Sequence, residues 1–565
     1  MSRKIIIVGG VAGGASTAAR LRRLSEDDQI IMFERGEHVS FSNCSLPYFL
    51  GGHISSSEKL VLMSPQKFLK QYNIIAKTQS EVIAINRDRK TITVMDLISG
   101  NSYEENYDKL ILAPGAKPIV PPIAGIDLVN VFTVRNVTDI ERLHRALHDK
   151  SQNIAVIGGG FIGVEVAENL RESGYNVSLI EAMPQILRTF DYDMVQILHK
   201  EMHDHGINLI VNDKVTHFEQ DTVVLASGNK VAADIVVMAI GVAPETSLAA
   251  SAGLNLGTTG AIAIDDVCQT NDKDIYAIGD AVEVDAKLFA GKFKLALAWP
   301  AQVQGRGVAD HINGKEFANP SYIGSSCIQV FNMNAASTGL TEGFIQATKM
   351  NINYECVVIN PNDKVSLMPT NNTMYFKLIF DKENGKVLGA QAIGKGNVDK
   401  RIDVIATAIK FGATIRDLVE LELCYAPPFG TAKDVVNMAG YVASNLLDGS
   451  FTQVTPDKLR SLVEGGAYIL DIRETPELEK GRIVGSHHIP LSELRQRYHE
   501  IPREQPVYVH CRSGQRSYNA VMALQNLGYT NVKNVAGGFL SISFNEYFND
   551  LTQNRTPIVT AYNFN

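Results

Sequence analysis

Ile5-Ile6-Ile7-Val8-Gly9-Gly10-Val11-Ala12-Gly13-Gly14, near the start of the 565-residue chain, decides the fold class. An apolar run of strand length breaks into glycines, a helix is expected over 15–24, and a second apolar run, Gln29-Ile30-Ile31-Met32-Phe33, ends at Glu34. Strand, glycine turn, helix, strand and an acidic residue roughly 20 positions on make a dinucleotide-binding unit, in which pyrophosphate sits on helix N–H groups and the carboxylate takes ribose hydroxyls. Gly9 and Gly14 fit G-x-G-x-x-G, but Val11 holds the middle position. The backbone must therefore approach the pyrophosphate past a side chain.

A second turn repeats the pattern without that defect. Asn153-Ile154-Ala155-Val156-Ile157 leads into Gly158-Gly159-Gly160-Phe161-Ile162-Gly163, a helix through Leu170, and Val177-Ser178-Leu179-Ile180-Glu181. Glu181 is placed to bond an adenosine ribose 2′-hydroxyl and to repel a 2′-phosphate, and Ala182-Met183-Pro184 supplies no arginine to reverse that. NADH is expected over NADPH.

Working outward, the chain is long enough for several domains. Its 45% hydrophobic content supports several cores, and a net charge of -8 argues against a nucleic-acid footprint. No apolar stretch approaches the roughly 20 residues of a membrane helix, and the first strand runs into glycines with no leader cleavage site, so a cytoplasmic protein is expected. Six cysteines, at 44, 268, 327, 356, 424 and 511, show no Cys-x-x-Cys spacing, which disfavours a metal site and a disulfide framework. Cys268, Cys327, Cys356 and Cys424 read as small core hydrophobes.

Asp274-Ile275-Tyr276-Ala277-Ile278-Gly279-Asp280 and Tyr107-Asp108-Lys109-Leu110-Ile111-Leu112-Ala113-Pro114-Gly115-Ala116 resemble the flavin-ribityl and crossover motifs of two-dinucleotide-binding disulfide oxidoreductases. Ser40-Phe41-Ser42-Asn43-Cys44-Ser45-Leu46-Pro47-Tyr48 resembles the single-cysteine loop of coenzyme A disulfide reductases and NADH-dependent persulfide reductases, a likeness that runs to about residue 448 through Val398-Asp399-Lys400-Arg401 and Tyr425-Ala426-Pro427-Pro428. The resemblance implies an FAD site at Gly9, Gly10, Val11, Ala12, Gly13, Gly14, Glu34, Arg35, Asn43, Ala113, Gly115, Gly279, Asp280, Pro300 and Ala301. It implies an NAD site at Gly158, Gly159, Gly160, Phe161, Ile162, Gly163, Glu165, Glu181 and Gly241. Coenzyme A, as substrate or tightly bound group, would meet Ser16, Arg20, Arg23, Ser40, Asn43 and Lys433. Arg20 and Arg23 lie one helical turn apart and could clamp a phosphate. Tyr425 would stand near the reacting sulfur. The paired tyrosine of the family is missing, since this chain reads Ser366-Leu367-Met368-Pro369-Thr370, and Trp299 has no derivable role.

Near the C-terminus, Tyr468-Ile469-Leu470-Asp471-Ile472-Arg473, Gly485-Ser486-His487-His488-Ile489-Pro490 and Val509-His510-Cys511-Arg512-Ser513-Gly514-Gln515-Arg516-Ser517 resemble a rhodanese domain. A cysteine at a strand end, two arginines and a loop of N–H groups feeding a helix are expected to lower the thiol pKa and hold a persulfide anion.

The expected architecture is α/β: two Rossmann-like nucleotide-binding domains, an α+β dimerisation domain and a C-terminal α/β rhodanese domain. Boundaries are expected at 1–147 with 276–322 for FAD, 148–275 for NAD, 323–448 for dimerisation, 449–454 as linker, 455–545 for rhodanese and 546–565 as a tail. The resemblance implies a homodimer with shared active sites. In the expected reaction NADH charges the flavin, electrons reach Cys44, and Cys44 cleaves the sulfur–sulfur bond of coenzyme A persulfide, polysulfide or coenzyme A disulfide, with Cys511 delivering sulfane sulfur. The competing reading is an NADH peroxidase or oxidase using a Cys44 sulfenic acid. Those enzymes carry a histidine in the first glycine turn, where this chain has Ala12.

Overall fold

The computed structural model describes residues 2–128 and 130–564. They form two compact units, Met1–Pro184 with Ile210–Tyr322, and Gln185–Leu209 with Ile323–Asn565. Among the described residues no helix is long and apolar enough to cross a membrane.

In the first unit Lys4–Val8 is the middle strand of a parallel sheet ordered Ile275–Ala277, Lys109–Leu112, Lys4–Val8, Gln29–Phe33, Ile75–Lys77. Ile5, Ile6 and Ile7 are fully buried, which explains an unbroken apolar run where a half-exposed strand would alternate. The chain leaves this sheet after Leu112 and returns at Ile275, which pairs with Leu110. The excursion builds a second parallel sheet in which Asn153–Ile157 lies between Asn176–Ile180 and Ile235–Met238. Each sheet is followed around by a three-stranded antiparallel meander, Ser80–Asn86 with Thr91–Asp96 and Ser102–Asn106, and Val215–Glu219 with Thr222–Leu225 and Lys230–Ala232.

The second unit joins an antiparallel sheet to a parallel one. The first is ordered Ser325–Val330, Met333–Gly339, Val387–Gly394, Met374–Asp381, Tyr354–Ile359, and its strand Val387–Gly394 is buried throughout. The second is ordered Gln453–Val454, Val532–Val535, Val507–His510, Tyr468–Asp471, His487–His488. Residues 449–454 do not stand apart from this sheet: Phe451 is buried and Val454 pairs with Val535. Of residues 546–565, the first complete the helix Gly538–Gln553, and Ile558 and Val559 are buried.

Candidate active site

The two glycine turns of the first unit are built alike. Gly9 and Gly158 have φ of +101° and +110°, and a Cβ on Gly14 or Gly163 would lie 1.9 or 1.8 Å from the carbonyl oxygen of Gly9 or Gly158. Only glycine fits these four places. The middle position differs. Val11 has φ −103° and Gly160 φ −77°, so neither φ calls for glycine. Each strand-end carboxylate is fixed by two N–H donors: Gly10 and Gly36 donate to Glu34 at 2.8 Å each, and Gly159 and Met183 donate to Glu181 at 2.7 and 2.8 Å.

The helices that follow, Ala12–Leu24 and Phe161–Glu172, have neither a side-chain cap nor an acidic residue in the first turn. Their leading N–H groups are left for an anion. On this geometry the first turn fits the pyrophosphate of FAD and the second that of NAD(H). Around the first turn, a Cβ on Gly13 would meet Ile278 and Ala301, Ala113 donates its N–H to Val8, and Gly279 donates to Gln304 at 2.7 Å. Ala301 follows Pro300 in the helix Ala298–Ile312, where Trp299 is 71% exposed. Gly241, at φ +122°, accepts from Ile119. Arg35 is half exposed with only long contacts, to Glu81 at 3.8 Å and Glu245 at 3.9 Å.

Cys44 sits in the short 3-10 turn Asn43–Ser45, which leads into the helix Leu46–Leu50. Its thiol is accessible to solvent. Partial burial, then the carboxylates of Glu165 and Asp280, push the thiol up from its ordinary value. Burial also pushes Glu165 up to about 7. Asp280 is raised by burial too, with Arg135 opposing. The fold thus assembles residues from four separate stretches, Cys44, Arg135, Glu165 and Asp280. Sequence reading missed Arg135. It is held by Asn43, whose side-chain amide donates to the Arg135 carbonyl at 3.3 Å, and it lies so close to Gly115 that a Cβ there would come within 2.7 Å of the guanidinium. The glycine after Pro114 was the available signal.

The residues assigned to coenzyme A are not equally free. Arg20 donates twice to Asp310, at 2.5 and 2.9 Å, so its charge is already met within the first unit, whereas Arg23 is exposed and Ser16 half-buried. Ser40 adopts φ +50° and donates its N–H to Gly10. In the second unit Lys433 and Tyr425 are both exposed, Tyr425 at 49%, and Lys433 reaches over the Tyr441 ring. Leu367, in the stretch that lacks the expected paired tyrosine, is 87% exposed.

Cys511 follows the strand Val507–His510 and is fully buried. Its Sγ accepts the Gly514 N–H at 3.2 Å and the Ser517 hydroxyl at 3.5 Å, and Gly514, at φ +96°, turns the loop into the helix Gln515–Asn526. Phe539 and Leu540 donate to the carbonyls of Cys511 and Arg512, fixing the loop from the helix Gly538–Gln553. Arg516 is bound bidentately by Glu477, at 2.6 and 2.7 Å, which sequence reading did not foresee. Beneath the loop Asp471 binds Arg473 at 2.7 Å, and burial pulls His510 down from its ordinary value. Of the other cysteines, Cys268 and Cys356 are buried as expected; Cys327 and Cys424 are exposed, the first on an outward position of Ser325–Val330, the second in the loop before Tyr425.

Residues 3–305 match the family described as pyridine nucleotide-disulphide oxidoreductase, residues 325–435 its dimerisation domain, and residues 455–544 the rhodanese-like domain. The chain belongs to the pyridine nucleotide-disulphide oxidoreductase family. Over 78% of its length it is similar to the coenzyme A disulfide reductase of Staphylococcus epidermidis, at 33% identity over 447 residues and 99% of that protein. The reduced CoADR-RHD of Bacillus anthracis is similar over 96% of this chain and 98% of its own, at 46% identity and a TM-score of 0.93. The NAD-dependent persulfide reductase of A. fulgidus is similar over 95% and 99%, at 34% identity and a TM-score of 0.90. For this family member the rhodanese-like segment is shared with both solved structures, since each likeness spans nearly the full chain.

Proposed function

We propose that the protein is an NADH-dependent, FAD-containing reductase of sulfur–sulfur bonds in coenzyme A persulfide, polysulfide or coenzyme A disulfide, with a sulfur-carrying rhodanese domain. The observation that carries this reading is the accessible Cys44 thiol gathered with Glu165, Asp280 and Arg135 beside the first glycine turn. When bound, the flavin and nicotinamide supply the pair of electrons that a disulfide exchange cannot supply for itself.

The chain's own residues do the rest. Glu34 and Glu181 hold ribose hydroxyls, and the two helix starts hold pyrophosphates. Cys44 attacks the substrate's sulfur–sulfur bond as a thiolate. Glu165, with an ordinary carboxyl displaced to about 7, is suited to hold or release a proton near the thiol at neutral pH. Cys511 carries sulfane sulfur, its persulfide accepting N–H and hydroxyl donors from Gly514 and Ser517. Tyr425 and Lys433, both exposed on the second unit, serve the substrate across a homodimer, where the exposed Leu367 and Phe429 would also be covered. A sedimentation mass of a single chain would remove the shared-site arrangement. A cytoplasmic location is in keeping with the NADH use read here.

Replacing Cys44 by serine is expected to lower NADH-dependent sulfide release by about 1,000-fold or more while the flavin still bleaches with NADH. Retained turnover would take Cys44 out of the reaction. Cys511→Ser should abolish persulfide formation on the rhodanese domain and spare reduction of free small persulfides. Ala12 in the first glycine turn, with its side chain exposed and no imidazole at that place, disfavours the peroxidase reading; a Cys44 sulfenic acid turning over peroxide faster than persulfide would restore it.

A further inference from the structure

The Cys511 loop carries two arginines, and the fold treats them differently. Arg516 closes the six-residue loop, and both of its terminal nitrogens are taken by the two oxygens of Glu477. Among the described residues Arg512 has no ion pair. The guanidinium that reaches toward the Cys511 sulfur is therefore the one whose charge is already met.

Glu477 is itself fixed in place. It lies in the short helix Thr475–Leu478, and its Oε2 also accepts the Glu474 N–H at 3.1 Å. The carboxylate side chain is 29% exposed and that of Arg516 34%, so solvent screens the pair only in part. Arg516 also reaches toward the Cys511 sulfur, and Glu477 first, with the thiol after it, favours its charged form against the opposing effect of burial. A substrate at Cys511 thus meets the Arg516–Glu477 pair as a neutral assembly, with the carboxylate close behind the guanidinium.

Sulfur donors differ in how much charge they bring here. In one route the Cys511 thiolate attacks the outer sulfur of R–S–SH. The Sγ–S bond forms, the donor S–S bond breaks, and R–S⁻ leaves with the electron pair, so that Cys511 ends as a persulfide. In the other route the same attack on the outer sulfur of thiosulfate expels sulfite with the electron pair. Both routes conserve atoms and electrons. The second brings a dianion to a thiolate and ends with a departing dianion, and it needs more positive charge than a guanidinium already met by a carboxylate gives.

We propose that Glu477 is a specificity-determining residue, which by occupying Arg516 makes the Cys511 loop select thiol-bound persulfides over the thiosulfate dianion. This rests on the reading of Cys511 as a sulfur carrier. The test uses the full-length flavin-containing protein and follows Cys511 persulfide formation by intact-mass measurement, with thiosulfate and with the persulfide of 2-mercaptoethanol as donors. Glu477→Gln is expected to shift the ratio of the two second-order rate constants by about tenfold toward thiosulfate. Glu477→Asp, which keeps the charge, should hold the ratio near that of the unaltered protein. An unmoved ratio in Glu477→Gln overturns the inference, and so does loss of transfer from both donors in that variant, which would mean that Glu477 only builds the loop. An unaltered protein that accepts sulfur from neither donor sinks the sulfur-carrier reading itself, a different result from either.

Discussion

At Cys44 the electrostatics run against the chemistry the residue is there to perform. Burial, Glu165 and Asp280 all favour the neutral thiol, and only its own N–H opposes them. Glu165 is ionised above pH of about 7 and neutral below, because burial has raised it from an ordinary carboxylate. Its effect on the thiol is therefore present on the alkaline side and absent on the acid side. Glu165→Gln should bring the midpoint for alkylation of Cys44 in the NADH-reduced protein down by about one pH unit. The profiles of variant and unaltered protein should converge below neutrality. A midpoint that rises, or curves that differ only in acid, would show that the carboxylate does not act on this sulfur.

The glycine turns work as elements, because strand end, turn and helix start are fixed together. Third-position glycines are required by packing: the Cβ of an alanine at 163 would stand 1.8 Å from the Gly158 oxygen, and relief would push the helix start away from the phosphate it receives. Gly163→Ala should weaken NADH binding by about tenfold or more, read by anaerobic titration, while the protein stays yellow. Val11→Gly, by contrast, should leave flavin retention unaltered, since φ −103° lies outside the range that calls for glycine. Loss of flavin in the second variant would mean that the valine side chain contributes to the site. The middle glycine of the motif is thus a matter of room for the ligand, and its absence in the first turn does not weaken the turn.

Across the whole molecule, the rhodanese-like segment shares one unit with the antiparallel sheet and with residues 185–209. The helix Gly538–Gln553 is the common member. Asn360 donates to the Gly537 carbonyl and to Ser541 at 2.8 Å each, Tyr375 meets Phe544 edge to face at 5.0 Å, and Tyr192 donates to Asn549 at 3.0 Å. The same helix begins with the N–H groups that fix the Cys511 loop. The unit should therefore melt in one transition in calorimetry. Phe544→Ala, at a buried position, should cost about 3 kcal/mol and lower that transition as a whole. A separate early transition for the rhodanese-like segment would show that its packing is independent.

The glycine turns, their partner carboxylates and the Cys511 loop were legible in the sequence because each is local: strand, turn and helix follow one another within a few tens of residues, and backbone sterics admit few alternatives. The single cysteine at 44 was singled out through the resemblance of its loop to a known family, and the fold sets it in the short turn Asn43–Ser45. What lies around those sulfurs was not legible. Glu165 and Asp280 reach Cys44 from remote stretches, Arg20 is claimed by Asp310, and Glu477 claims Arg516 from 39 positions away. Spacing carries no record of such pairings, since they depend on which strands come to lie side by side, so the charge that each sulfur feels was decided by the tertiary fold alone.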